Sequence, residues 1–250
     1  MNLPADLLLY IAIGFAAQVI DGALGMAYGV TASSLLLGLL IPPAVSSATV
    51  HAAECFTTGT SALSHHAFGN IDRQMFRRLL MPGVIGAAVG ACLLASLPSD
   101  ALKPWIAAYL LLIGVVILVK AFCDVPSRKV TSHLAPLGFF GALIDAIGGE
   151  GWGPIVASNL LARGNGIRFT VGTVNAVEFF VTLTASLVFL LTLGLSHWPI
   201  IIGLALGGVV AAPLGAWMVR HVRPRPMLCV VGLLVVVLSM RTLLKHFDAI

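Results

Sequence analysis

Long apolar stretches alternate with short polar or proline-containing segments along this chain, giving four strong apolar stretches in each half. In the first half they are Leu7–Leu40, Pro43–Phe68, Leu79–Leu97 and Pro104–Phe122. In the second they are Leu134–Ala162, Thr170–Leu195, Pro199–Val219 and Met227–Leu244. A membrane-crossing helix needs about 20 apolar residues, so each stretch predicts a helix long enough to span. The first stretch of each half differs from the rest. Leu7–Leu40 as one helix would run on the order of 50 Å, against a hydrocarbon core of about 30 Å. Its middle reads Asp21-Gly22-Ala23-Leu24-Gly25-Met26-Ala27-Tyr28-Gly29, and the matching stretch reads Asp145-Ala146-Ile147-Gly148-Gly149-Glu150-Gly151-Trp152-Gly153-Pro154. Each glycine weakens a helix by roughly 1 kcal/mol relative to alanine and permits a reversal with positive φ. Aspartate is a good cap for a helix that restarts. Both first segments are therefore expected to enter the membrane, break and turn back. Broken backbone at that depth is tolerated only where it is buried or lines a wet cavity.

The halves read as copies. An offset of 124 aligns Gly14 with Gly138, Ile20-Asp21 with Ile144-Asp145, Gly25 with Gly149, Gly29 with Gly153, Thr49-Val50 with Thr173-Val174, Glu54 with Glu178 and Thr58 with Thr182. One inserted residue then aligns Gly83-Val84 with Gly208-Val209 and Gly90-Ala91 with Gly215-Ala216. Chance similarity between apolar stretches would not pair acid with acid. The expected organisation is a first membrane repeat over 1–123, a linker over 124–133 and a second repeat over 134–250. Together they make one all-α polytopic membrane domain of two inverted repeats, each a broken first segment followed by three transmembrane helices.

Charge supports the inversion. If every segment crossed, the basic residues would divide almost evenly between the two sides. If the first segment of each half turns back, one side collects Arg73, Arg77, Arg78, Lys120, Arg128, Lys129, Arg163, Arg168, Arg220, Arg223 and Arg225, and the other keeps Lys103, Arg241 and Lys245. Only the second arrangement obeys the positive-inside rule.

Composition narrows the class. Of 250 residues, 59% are hydrophobic and only 10% are charged, against roughly 25% charged in soluble domains. A soluble fold of this make-up would expose large apolar patches. The net charge of +4 reads as loop topology signals rather than a nucleic-acid footprint. Cys55, Cys92, Cys123 and Cys229 form no C-x-x-C pair and are expected to be small packing residues. The N-terminus lacks a basic leader before its apolar run, and Asp6 precedes that run, so no secretory signal is expected there.

Five acids fall inside the predicted spans: Asp21, Glu54, Asp145, Glu150 and Glu178. One acid at mid-bilayer costs about 2.5–3.5 kcal/mol, and no Lys or Arg lies mid-span to pair with them. They must be protonated, cap backbone amides or face water. Ser47, His51, Glu54, Thr58, Ser61 and His65 recur every three or four residues and so share one helical stripe. Asn175, Glu178 and Thr182 repeat its middle. A path through the membrane and hydrogen-bond glue between helices both fit this stripe, with His51, Glu54 and Glu178 favouring a path and the Ser and Thr positions favouring glue. His65 and His66 are expected at the interface. Asp21 and Asp145 suit capping of the breaks or proton handling. Tyr28 and Trp152 are matched aromatics that suit lining a binding site or packing. Gly86-x-x-x-Gly90 and Gly203-x-x-x-Gly207 suit close helix interfaces.

At the duplicated glycine-rich break, followed by Ala48-Thr49-Val50 and Gly172-Thr173-Val174, the chain resembles the sulfite/organosulfonate exporter family (TauE/SafE, also called the toluene-sulfonate uptake permease family). The resemblance spans nearly the whole chain. The second copy, Ile147 to Pro154, is close to the family pattern; the first has Leu24-Gly25-Met26-Ala27-Tyr28 where members usually show a glycine run. The resemblance implies transport of small sulfur-containing or carboxylated organic anions across the bacterial inner membrane, with no catalytic activity and no cofactor. Helix physics is compatible with an anion. Two broken helices of opposite orientation bring two half-helix N-termini toward the midplane, each worth roughly half a positive charge plus free N–H donors. The expected substrate-binding residues are Gly25, Tyr28, Gly29, His51, Gly149, Trp152, Gly153 and Asn175. Glu54, Glu178, Asp21 and Asp145 are the expected proton-coupling residues. The partners are then a small anion, protons and the lipid bilayer; homo-oligomerisation stays open.

Two other readings remain. A divalent-cation transporter would use the membrane acids, with His51 and Glu54 at i, i+3 as ligands. An intramembrane enzyme would use Asp21 and Asp145 as a carboxylate dyad, though no hydrolase motif surrounds them.

Overall fold

The computed structural model describes residues 3–26, 28–97, 99–123, 130–148, 152–194 and 197–219, together with 221, 225–226, 229, 232–233, 236–237, 239–240 and 243–244. Among the described residues every regular element is helical. In chain order they are α1 (Leu3–Leu24), α2 (Tyr28–Gly38), α3 (Pro43–Ala67), α4 (Arg73–Ser96), α5 (Ser99–Lys120), α6 (Leu134–Gly148), a π-helical turn (Trp152–Ala157) that runs on as α7 (Ser158–Ala162), α8 (Ile167–Thr192) and α9 (Trp198–Met218). Only part of the eighth expected span, Met227–Leu244, lies within the described residues, as does only part of the 124–133 linker.

Leu7–Leu24, Arg73–Ser96, Ile167–Thr192 and Trp198–Met218 are long and apolar enough to cross a membrane, and Leu134–Gly148 is a shorter apolar helix. The central helix α3 is 25 residues long but falls outside that set, because its serines, threonines, histidines and Glu54 dilute its hydropathy. The outer surface is apolar, with Leu191, Phe122, Trp105 and Val210 all strongly exposed. Polar side chains such as Gln18, Ser47, His51, Asn175 and Thr182 are buried inside. This is the distribution expected of a chain solvated by lipid.

Both first segments break where the glycines cluster. α1 stops at Leu24 and α2 restarts at Tyr28; α6 stops at Gly148 and the π-helical turn restarts at Trp152. Gly25 has φ +69°, a left-handed conformation that disfavours any side chain. In the second half, Arg163 at the end of α7 donates to the Ser132 carbonyl and hydroxyl, both at 2.8 Å, just before α6 begins. The segment from 134 to 162 thus starts and finishes at one end of the bundle. Arg78 reaches the Thr131 carbonyl at 2.7 Å, and Arg168 reaches the carbonyls of Phe68 and Gly69 at 3.2 and 2.9 Å. Arg78, Arg163 and Arg168 are therefore gathered at the same end.

Small residues let helices approach to backbone contact. α1 packs on α9, where Gly22 and Gly215 face each other and a side chain on either would meet the other's backbone. Gly207 seats the Ile11 carbonyl. α6 packs on α4, where Gly86 and Gly90 seat the carbonyls of Phe139 and Leu143. Both Gly-x-x-x-Gly stretches thus serve as close helix interfaces, as their spacing suggests. α3 and α8 cross at the centre, where Cys55 meets Ser186, Thr58 meets Thr182 and Ser61 meets Asn175, so the two run antiparallel.

α4 starts at a side-chain cap: Asp72 Oδ1 accepts from the amides of Gln74 and Met75 at 2.8 and 3.1 Å. Losing such a cap costs about 1 kcal/mol. Asp72→Ala is expected to lower the thermal unfolding midpoint in detergent, while Asp72→Asn keeps most of the stability.

Candidate functional site

Asp21 and Asp145 occupy equivalent places, in the last turn of α1 and of α6. Both are buried, as are Glu54 and Glu178. The amide of Gly25 closes the end of α1 onto the Asp21 carbonyl at 2.5 Å. In the second half the side chain does more. Asp145 Oδ1 accepts the Trp152 amide at 3.1 Å and so caps the restarted helix, while Oδ2 lies 3.1 Å from His51 Nε2 on α3. One carboxylate thus bridges the break of the second half and the central helix of the first.

The histidine is held on both nitrogens. Its Nδ1 lies 2.8 Å from the Ser47 carbonyl, which can only accept, so Nδ1 carries a hydrogen. Nε2 then faces a carboxyl group. A good hydrogen bond there requires a proton between the two: either on the ring, opposite a carboxylate, or on Asp145, donated to a neutral ring. Ser47 reinforces the grip, since its Oγ donates to the Ala146 carbonyl at 2.9 Å. Phe189 of α8 stands edge-on to the ring at 5.9 Å.

Glu54 lies one turn further along α3, within electrostatic reach of His51, Asp145 and Asp21. Glu178 on α8 interacts with Asp21, Glu54 and Asp145. Its Oε2 has no hydrogen-bond partner among the described residues, nor have the side-chain amide atoms of Gln18. The five ionisable groups Asp21, His51, Glu54, Asp145 and Glu178 therefore form one buried cluster around the antiparallel crossing of α3 and α8. Among the described residues, no three His, Cys, Asp or Glu side chains are arranged to hold a metal ion.

The two breaks touch at this level. A Cβ on Gly153 would sit 2.5 Å from the Gly25 carbonyl oxygen and 2.5 Å from the Met26 Cα. Asn175, the counterpart of His51, lies beside Gly25, its Nδ2 3.6 Å from where a Gly25 Cβ would be. It accepts from Ser61 at 2.8 Å and donates to the Val171 carbonyl at 3.2 Å. Gly29 is buried in the first turn of α2. Gly149 and Glu150 lie outside the described residues.

Tyr28 and Trp152 are fully buried. The Tyr28 hydroxyl donates to the Leu204 carbonyl at 2.9 Å and its ring lies against Gly208. Trp152 Nε1 donates to the Val174 carbonyl at 3.1 Å and its ring lies against Gly83. Each aromatic is thus seated on a glycine of the opposite half. His65 is buried, with Nδ1 3.1 Å from Asn70 Nδ2, while His66 is exposed. The His51–Asp145 pair has no direct signal in local spacing, which points His51 at Glu54. The signal that could have found it is the repeat itself, which makes Asp145 the mate of Asp21 and brings the break of one half beside the central helix of the other.

The sequence profile described as Sulfite exporter TauE/SafE matches residues 10–242. The chain is also 42% identical to a protein of Bacillus subtilis (strain 168) called probable membrane transporter protein YtnM, over 97% of this chain and 84% of that one. No solved structure matches it significantly.

Proposed function

Since the chain belongs to the TauE/SafE sulfite exporter family and is a multi-pass membrane transporter, we propose that it is a secondary transporter of small organic or sulfur-containing anions, coupled to protons and resident in the bacterial inner membrane. In this reading residues 1–123 and 134–250 are inverted repeats that rock against each other to alternate access. The exchange pattern of the packing supports it: α1 on α9 is answered by α6 on α4, and equivalent threonines, Thr58 and Thr182, meet where α3 crosses α8.

The observation that carries the anion reading is the capped amide at the second break. Trp152 N–H, at a helix N-terminus, already holds a carboxylate oxygen of Asp145. In this reading the amide that would meet a substrate anion is held at rest by the protein's own Asp145. A substrate sulfonate or carboxylate competes with Asp145 for that amide, and a proton on Asp145 weakens the internal competitor. The same proton removes a like charge: two anions about 4 Å apart repel by roughly 4 kcal/mol at an effective dielectric near 20. Proton and substrate therefore favour each other's binding, which is what coupling requires. In this scheme His51 holds a proton beside Asp145, and Glu54 and Glu178, which interact electrostatically with Asp145, deliver or remove it.

Proteoliposomes with an imposed pH gradient test this reading directly, using labelled sulfite and methanesulfonate. Glu54→Gln and Glu178→Gln are each expected to cut gradient-driven uptake by about tenfold or more, with counterflow exchange less affected. If both variants transport like the parent, the coupling scheme is wrong. Stabilisation of the purified protein by divalent cations and not by sulfonates would favour cation transport instead.

A further inference from the structure

At the corner between α3 and α4 lies an open cavity of about 250 Å³, lined by His66, Ile71, Arg73, Phe76 and Arg77. We propose that it is a binding site for the headgroup of an anionic phospholipid, independent of the transport site.

The described arginines of α4, of the turn after α7 and of the start of α8 divide into two groups. Arg78, Arg163 and Arg168 are each tied to backbone carbonyls. Arg73 and Arg77 make no ion pair or side-chain hydrogen bond among the described residues, and both are exposed. They sit one helical turn apart and so present two guanidinium groups to the same cavity, the arrangement that suits a phosphodiester. His66 adds a third nitrogen-bearing group. The N-terminus of α4 is not part of the attraction, because the amides of Gln74 and Met75 are already held by Asp72.

The surface leading away from the cavity decides between a lipid and a free anion. Continuing in steps of four along α4, Met81, Ile85 and Val89 are 62%, 52% and 40% exposed. Phe76, in the wall of the cavity, packs edge-on against Phe180 of α8 at 6.0 Å. A charged head between Arg73 and Arg77 thus stands directly above an apolar ridge that runs into the membrane. That sequence of surfaces matches an amphiphile. A free phosphate would use only its upper end. Basic recesses beside membrane helices are suited to acidic headgroups, each basic residue contributing an attraction that depends on salt.

The test uses the full chain, delipidated in neutral detergent, with native mass spectrometry to count retained lipid. Dioleoyl phosphatidylglycerol is expected to bind about tenfold or more tightly than dioleoyl phosphatidylcholine. Arg73→Gln with Arg77→Gln should remove most of that preference, and Arg73→Lys with Arg77→Lys should keep part of it. Arg223→Gln with Arg225→Gln, which removes equal charge, should leave it intact. Millimolar inorganic phosphate should not displace the lipid. Equal retention of the two lipids, an unchanged preference in the Arg73/Arg77 glutamine variant, or an equal loss in the Arg223/Arg225 control would overturn the proposal. Displacement by phosphate would assign the cavity to a soluble anion instead.

Discussion

Gly153→Ala is expected to abolish transport and to lower the thermal midpoint of the purified protein by roughly 4–8 °C, corresponding to about 2 kcal/mol. The added methyl would lie 2.5 Å from the Gly25 carbonyl oxygen and from the Met26 Cα, about 1–1.5 Å inside the ~3.5–4.0 Å separation at which carbon atoms attract. Both obstacles are backbone, so no side-chain rotamer relieves the clash. The two breaks must move apart, and the Trp152 amide moves with them. Gly166→Ala supplies the control, since nothing lies within 4 Å of a Cβ there. Unfolding followed by intrinsic fluorescence, together with uptake in proteoliposomes, reads both effects. A Gly153→Ala protein with the stability and activity of the parent would show that the breaks need not touch.

The second large effect concerns His51 and Asp145. Truncating one member of a buried ion pair costs about 3–5 kcal/mol, because the other is left uncompensated. Asp145→Ala should lie at the top of that range, since it strips both His51 Nε2 and the Trp152 amide of their partner. His51→Ala should cost less, because Asp145 keeps the amide. The double variant is expected to be more stable than the sum of the single losses predicts, by about 1–3 kcal/mol of coupling. Thermal midpoints of the four proteins in one detergent close the cycle. Strict additivity would mean that the two side chains do not act as a pair. Uptake should fall in both single variants, and Asp145→Asn separates charge from shape, because the amide oxygen still accepts from Trp152 while the negative charge is gone.

Much of this arrangement was legible in the sequence, because it follows from local rules. The clustered glycines after Asp21 and Asp145 forecast the two breaks, and the break points fall among them. The period of the α3 stripe put Ser47, His51, Glu54, Thr58, Ser61 and His65 on one face, and all six are buried. The Gly-x-x-x-Gly spacings marked the faces of α4 and α9 that meet α6 and α1. What local rules could not supply was the tertiary pairing of the stripe. His51 and Glu54 share a face of one helix, which suggests that they act together. The packing of α3 on α6 also gives His51 a hydrogen-bonded partner 94 positions away in the chain. Tyr28 and Trp152 illustrate the same limit. Their equivalence was visible, but whether a large aromatic at a break faces a binding site or a neighbouring helix depends on what lies opposite. Opposite each lies a glycine, Gly208 and Gly83, that is itself matched between the halves. His65 likewise is buried against a partner that spacing alone does not name, Asn70.

One substitution sets the two halves apart. Where the first half carries an imidazole at 51, the second carries an amide at 175, and the acid beside the first is gripped through a proton while Asn175 is fastened to Ser61 and Val171. On the proposed coupling scheme, identical halves would respond to acidity in the same way from either surface. An imidazole, which can take up a proton, set against an amide, which cannot, makes the two halves chemically unequal. On that scheme, exchanging the two, His51→Asn with Asn175→His, is expected to move the acid sensitivity of transport to the other half.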